Sequence, residues 1–416
     1  MYKRKIVSLI SNNKKIIENL SYLTVIQIIS MLLPFITYPY LIKTLGLSLY
    51  GKVMLSQAIV SYVAIIIDFG FTISATKSIA EVISDKVKIN EICSAIIVTK
   101  TIVWVISTII YITSVLVFVN DFQSKILYLT AYTLTFNEFL ICQWFFQAKE
   151  DMKIIALLSV IAKIINIALV FTFINGPSDY IYVSLLTGIC YFITGVGCIL
   201  LMLSRHIELQ RPSLSSIKNV IKDSFNIFLT SAVITIKNKL DVILIGAFLN
   251  SEFVAIYDFS QKILTLALIP INIINSAVFA KMSREKSLNF LKKLIFASVI
   301  LSTGYVLFAQ LFIPLITKVL FVPSEESIFL TRMMMISVVV FSISLPLARN
   351  GLLIYGYTHL HLLGAFSTTI VYLLTMMLGY YFNLLTSLNF FLYTSIGIFS
   401  YELIYRIALC RWKKII

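Results

Sequence analysis

The sequence is poor in charge. Only 13% of its 416 residues are Asp, Glu, Lys or Arg, where a water-soluble domain needs about a quarter to cover its surface. That shortage excludes a soluble globular protein. Three histidines, His206, His359 and His361, are all there are, and no Ser/His/Asp set or phosphate-cradling glycine loop accompanies them. No enzyme signature therefore emerges, and the His359/His361 pair beside a helix end reads as chance. The five cysteines (Cys93, Cys142, Cys190, Cys198, Cys410) lack metal-ligand spacing and read as small apolar packing residues. Neither a catalytic group, a metal nor a cofactor is expected. Acidic residues are also scarce, 19 against 34 basic. The excess is not interleaved with aromatics on a polar scaffold, so nucleic acid is not an expected partner.

What the chain has instead is apolar length. Hydrophobic residues make up 59% and mean hydropathy is +0.95. In lipid every backbone polar group must be satisfied internally, which leaves helices or a closed barrel. Barrel strands alternate every second residue, whereas stretches such as Ile154–Ile174 are apolar on every side. At about 20 residues per span, the runs predict about twelve transmembrane helices: 20–42, 53–75, 92–119, 126–147, 154–174, 180–203, 225–249, 254–279, 289–316, 328–348, 360–382 and 388–410. The first run is too long for a signal-peptide core and is interrupted by Pro34 and Pro39, so it reads as a retained span.

Basic residues sort the connectors. The N-terminus, 76–91, 148–153, 204–224, 280–293, 349–359 and the C-terminal end from Arg406 hold 24 Lys and Arg. The alternate connectors hold only Lys43, Lys52, Lys125 and Lys318. The positive-inside rule puts the first set, with both termini, in the cytoplasm. The basic connector 204–224, with Arg205, Arg211, Lys218 and Lys222, divides the chain near its middle. The expected organisation is a six-helix lobe over 1–203, a cytoplasmic linker over 204–224 and a second six-helix lobe over 225–416. No connector is long enough for a soluble catalytic domain.

Charges at membrane depth cost about 2.5–3.5 kcal/mol each on insertion scales and need a reason. Span seven carries Lys237, Lys239 and Asp241; Lys237 and Asp241 share a face at i,i+4 and can pair. Span eight carries Asp258 and Lys262 at the same spacing, and span twelve Glu402 and Arg406. Asp68, Glu138, Lys163 and Arg332 stand in spans two, four, five and ten. The bland readings are neutralised pairs that fix packing, or long stems snorkelling to an interface. The functional reading is a water-filled cavity: Lys237, Lys239, Lys262, Lys163 and Arg332 would hold an anionic head group. Asp68, Glu138, Asp241 and Asp258 would be candidates for binding a proton or Na⁺. Prolines 34, 39, 270, 314 and 346 lie within spans and are expected to kink them.

Particular words then become recognisable. Tyr38-Pro39-Tyr40 leading to Gly46, Leu49-Tyr50-Gly51, Ser56-Gln57-Ala58, Asp68-Phe69-Gly70-Phe71 and Ser74-Ala75-Thr76-Lys77 resemble the O-antigen (Wzx-type) flippases. These form part of the polysaccharide-transport branch of the multidrug/oligosaccharidyl-lipid/polysaccharide exporter superfamily. Gln143 to Ala148, with Glu150 and Met152, is similar to the end of span four in that family. So is Lys239-Leu240-Asp241 followed by Leu244-Ile245-Gly246, Ala255 and Tyr257 at spans seven and eight. The resemblance implies an all-α carrier with two six-helix lobes around a central cationic cavity in a bacterial inner membrane. It implies passage of an undecaprenyl-pyrophosphate-linked oligosaccharide from the cytoplasmic to the periplasmic leaflet by ion-coupled alternating access, with membrane lipids, a polysaccharide polymerase and a chain-length regulator as partners. Family cavities often carry Arg where this chain has Lys, which is a point-charge partner for phosphate without a bidentate fork.

Two other functions compete. A drug or cation antiporter of the same superfamily would favour acids and aromatics in its cavity, yet the nine cavity candidates named above are five basic and four acidic. A membrane polysaccharide polymerase would need a large periplasmic loop, and no outer connector exceeds about a dozen residues.

Overall fold

A computed structural model describes Ile29, residues 32–205 and residues 207–415. The N-terminal basic residues (Lys3, Arg4, Lys5, Lys14, Lys15), most of the first half of span one, and His206 lie outside the described residues. Everything regular among the described residues is helical. The first compact unit takes Ser56–Thr235 with the described part of Met1–Tyr40; the second takes Leu41–Leu55 and Ile236–Ile416.

The helices of the first part of the chain are α1 (Pro34–Leu45), α2 (Leu47–Asp68), α3 (Phe71–Glu81), α4 (Lys86–Phe118), α5 (Phe122–Tyr132), α6 (Phe136–Leu140), α7 (Gln143–Ala148), α8 (Met152–Phe173) and α9 (Tyr182–Ser204). They are followed by α10 (Leu214–Phe248), α11 (Ser251–Ala267), α12 (Ile269–Glu285), α13 (Leu288–Leu320), α14 (Glu325–Pro346), α15 (Thr358–Tyr381) and α16 (Leu388–Trp412). By length and composition, eight of these stretches can cross a membrane: Leu47–Glu81, Lys86–Phe118, Met152–Phe173, Pro177–Ser204, Ser251–Ser276, Leu288–Leu320, Glu325–Leu353 and Thr358–Tyr381. The four other expected spans fall short for identifiable reasons. Span one runs out of the described residues, and span seven carries Lys237, Lys239 and Asp241. Span twelve is diluted by Glu402, Arg406 and three tyrosines. Span four is not one helix.

Span four breaks twice. After α5 a 3₁₀ turn over Thr133–Thr135 leads into α6, and extended backbone at Ile141 separates α6 from α7. The break denies the Glu138 carbonyl its usual i+4 donor. The buried Lys100 amine donates to that carbonyl at 2.7 Å, so the freed backbone group is satisfied inside protein as membrane depth demands. α9 packs on this irregular stretch through Gly188 and Gly195. A Cβ on Gly195 would stand 2.3 Å from Leu140 Cβ, the close approach that small residues permit in membrane bundles.

The prolines divide in their effect. Pro270, at the start of α12, interrupts expected span eight at Leu268–Ile269 because it lacks an N–H and crowds the preceding turn. Pro346 ends α14 and opens a π-helical stretch, Leu347–Leu353, where Asn350 donates to Asn275 Oδ1 at 2.8 Å. Pro39 and Pro314 are carried inside α1 and α13, and Pro34 begins α1. The expected linker 204–224 is helical from Leu214, since α10 starts there and runs on through span seven.

Each unit has its own packing centre. In the first, Phe71, Trp144, Phe145 and Phe146 bury around Cys93, Cys142 and Cys198. In the second, α14 packs against α11, α13 and α16. All five cysteines are buried and free, consistent with small apolar packing residues. Large apolar side chains such as Leu307, Phe308, Leu311 and Leu315 stay exposed along α13. On a membrane helix such a face meets lipid, not water.

Candidate functional site

In the first unit the charges gather where α2 ends. Phe69 and Gly70 both take positive φ (47° and 76°), turning the chain sharply between α2 and α3. Gly70 is the only residue type that fits comfortably, because a Cβ there would stand 2.9 Å from the Phe228 backbone nitrogen. Asp68 closes the turn: it accepts from the Gly70 N–H at 3.2 Å and the Thr72 hydroxyl at 2.6 Å. Lys100 Nζ approaches Asp68 Oδ1 at 3.8 Å, with only 4% of the lysine side chain exposed. Glu138 lies on α6, its carboxylate accepting from Asn137 at 2.7 Å, while its backbone carbonyl takes the Lys100 amine. Asp68, Lys100 and Glu138 therefore form one cluster. Lys163 stands half-buried on α8, one turn from Asn166, which donates to the Thr187 hydroxyl at 2.8 Å.

In the second unit the expected Lys237–Asp241 pairing does not form. The i,i+4 spacing permits it, but both side chains find better partners on neighbouring helices. Asp241 is 5% exposed and accepts from the hydroxyls of Tyr257 on α11, Tyr372 on α15 and Ser395 on α16. Gln261 in turn donates to the Tyr257 oxygen at 3.1 Å. Among the described residues this carboxylate is held by hydroxyls alone, with no cation in its ring of partners. Charge-assisted hydrogen bonds of this kind are the strong ones.

Lys237 reaches Glu402 Oε2 at 3.5 Å instead. The other oxygen of Glu402 takes Arg406, and this expected i,i+4 pair does form. Arg406 is buried and also donates to the Ser344 hydroxyl at 2.6 Å and carbonyl at 3.2 Å. The result is a chain, Lys237–Glu402–Arg406–Ser344, in which one carboxylate serves two cations. Lys262 pairs with Asp258 as its spacing suggested and donates to the Tyr50 hydroxyl at 3.0 Å. That contact depends on Gly51, where any Cβ would collide with the Ser251 carbonyl at 1.6 Å; glycine lets the start of α2 lie against the start of α11.

The remaining two candidates stand apart from these clusters. Lys239 is exposed. Arg332 is exposed too and lines a groove of about 460 Å³ between α13 and α14 that contains no lysine. No group of three or more His, Cys, Asp or Glu that could hold a metal occurs among the described residues.

Sequence reasoning missed Lys100 as a site residue. It noted Tyr257 only as part of a family-like word, and missed Tyr372 and Ser395 altogether. A tyrosine in an apolar helix carries no local sign of a carboxylate packed against it from helices more than 130 positions away.

Known proteins resemble the chain at two levels. Residues 16–286 match the family described as polysaccharide biosynthesis protein. A protein of Escherichia coli K12 named "Putative O-antigen transporter" is 27% identical over 287 residues, covering 68% of this chain and 69% of its own. Its counterpart of the same name from Shigella dysenteriae is 26% identical over 283 residues, covering 67% and 70%. Among solved structures, an inward closed lipid II flippase MurJ superposes with a TM-score of 0.75 at 12% identity, over 93% of this chain and 86% of that one. An inward-facing MATE multidrug transporter of the MOP superfamily superposes with a TM-score of 0.63 at 16% identity, over 91% and 96%. The two structural likenesses establish the fold alone, an all-α arrangement of apolar helices.

Proposed function

The chain belongs to the polysaccharide biosynthesis protein family, and from that premise we propose that it is a flippase for an undecaprenyl-pyrophosphate-linked oligosaccharide. It carries an O-antigen or similar repeat unit from the cytoplasmic to the periplasmic leaflet of a bacterial inner membrane, with both termini cytoplasmic. It is a transporter and not an enzyme. The relatives named as O-antigen transporters support the substrate class. The observation that carries the head-group assignment is the state of the accessible lysines. Lys237 and Lys262 are 17% and 27% exposed, and each is held by one carboxylate.

A lysine paired in this way is neutralised while the site is empty. A pyrophosphate brings at least two negative charges and many acceptor oxygens, so it can displace Glu402 or Asp258 from the amine. When the head group leaves, the carboxylate returns. Binding is thereby favourable without being irreversible, which a carrier requires. Lys163 in the first unit and Lys239 in the second are further head-group candidates. Asp241, in its ring of three hydroxyls, is the coupling residue: H⁺ or Na⁺ bound there shifts the balance between carrier states by its preference for one of them. Asp68, Glu138 and Asp258 supply second candidates for the ion.

The test is complementation of a flippase-deficient strain. Lys237→Ala and Lys262→Ala are expected to lose surface polysaccharide at unchanged membrane level, and Asp241→Asn to lose it as well. Wild-type polysaccharide from both lysine variants would remove the head-group assignment. Efflux of a cationic dye by the wild type, with no effect on polysaccharide, would favour a drug or cation antiporter.

A further inference from the structure

Arg332 stands seven residues into α14, about 10 Å below its start at a rise of 1.5 Å per residue. Intramembrane arginines almost always face a bundle interior or pair with an acid; this one does neither. Its side chain is exposed, and among the described residues no carboxylate forms an ion pair with its guanidinium. The carboxylates of the first α14 turn, Glu325 and Glu326, lie two turns nearer the helix start. Apart from Thr303 and Gln310 the rest of the groove is apolar, floored by Phe329, Ile336 and Val339 of α14 and Val306 of α13. Gln310 is itself engaged, donating to the Arg332 carbonyl at 2.9 Å.

Two dimensions decide what fits. From Phe329 to Val339 the groove runs ten residues, about 15 Å of helix, which is half of an approximately 30 Å hydrocarbon core. It is therefore one leaflet deep, enough for a single acyl chain and too short for a fifty-five-carbon prenyl chain laid straight. The only charge in its lining is positive and sits toward one end. An arginine stem two turns inside the bilayer reaches the head-group level by snorkelling.

We propose that the α13–α14 groove is a binding site for an anionic glycerophospholipid, one acyl chain lying along Phe329, Ile336 and Val339 and the phosphate on Arg332. Basic pockets between transmembrane helices bind such head groups by this combination of shape and charge. On the topology proposed above, the lipid belongs to the periplasmic leaflet. The site lies wholly within the second unit and shares no residue with the lysine pairs.

The full-length protein in detergent, titrated with phosphatidylglycerol and read by native mass spectrometry, tests the proposal. Wild type is expected to retain phosphatidylglycerol and to release diacylglycerol of the same chains. Arg332→Ala is expected to weaken retention about tenfold or more, the scale of a lost charge-assisted hydrogen bond. Ile336→Trp, which fills the groove and keeps the guanidinium, is expected to weaken it as well. Equal retention of phosphatidylglycerol by wild type and both variants would overturn the site. So would wild-type retention of diacylglycerol equal to that of phosphatidylglycerol, a comparison that needs no variant to fold. Undecaprenyl phosphate retained through Arg332 in place of phosphatidylglycerol would also overturn it. None of these outcomes touches the lysine variants, so the flippase reading stands or falls separately.

Discussion

Glu402→Gln removes one negative charge from a side chain that holds two cations. Arg406 is 9% exposed and, without Glu402, keeps only its two bonds to Ser344. Breaking a buried pair by removing one partner costs about 3–5 kcal/mol, because the other charge is left uncompensated. Lys237→Met, by contrast, leaves Glu402 paired with Arg406 and gives up one hydrogen bond at 3.5 Å, worth about 1 kcal/mol. The second unit is of a size at which 1 kcal/mol moves Tm by about 2–4 °C. Glu402→Gln should therefore lower the apparent Tm by at least about 6 °C, and Lys237→Met by no more than about 4 °C. The assay is thermal unfolding of purified protein in one detergent at one concentration, followed by tryptophan fluorescence. The double variant should be less destabilised than the two single effects added, since both break the same bond. A Glu402→Gln protein that melts within about 1 °C of wild type, or a Lys237→Met protein that melts lower than Glu402→Gln, would refute the shared-carboxylate description.

Other perturbations follow from the same geometry. Lys100→Met leaves the Glu138 carbonyl without its donor at the break between α6 and α7 and removes the cation beside Asp68; a loss of about 3 kcal/mol should appear as a lower Tm and faster proteolysis between residues 140 and 143. Gly195→Leu drives a side chain into Leu140, and an overpacking cost of about 1–3 kcal/mol or more should reduce the yield of folded protein. Gly51→Val should move the start of α2 off α11 and separate Tyr50 from Lys262, which cross-linking of a Tyr50→Cys, Lys262→Cys pair would register as lost. The five native cysteines, all buried, should resist a charged maleimide in folded protein and react after denaturation.

Much of the helical plan was legible because the signal is plain. The run Ile154–Ile174, apolar on every side, has no reasonable state in lipid except helix, and α8 (Met152–Phe173) occupies it almost to the residue. The i,i+4 couples Asp258–Lys262 and Glu402–Arg406 were legible for the same local reason. Where the reading departed from the fold, the cause was non-local. Hydropathy cannot register the break at Ile141, which survives because Lys100, 38 positions before Glu138, supplies a hydrogen bond to the orphaned carbonyl. Lys237 and Asp241 share a helix face, yet their partners come from α11, α15 and α16. Arg332 was read beside Lys262 as a cavity cation, yet it has no acid one turn away as Lys262 has in Asp258, and it stands open on the groove between α13 and α14.

Affinity of the purified protein for undecaprenyl pyrophosphate, compared with uncharged undecaprenol, tests the paired-lysine account most directly. The account expects strong preference for the pyrophosphate in wild type, a preference reduced about tenfold or more by Lys262→Ala and by Lys237→Ala, and retained in Arg332→Ala. Equal affinity for pyrophosphate and alcohol, or a preference untouched by either lysine substitution, would contradict it.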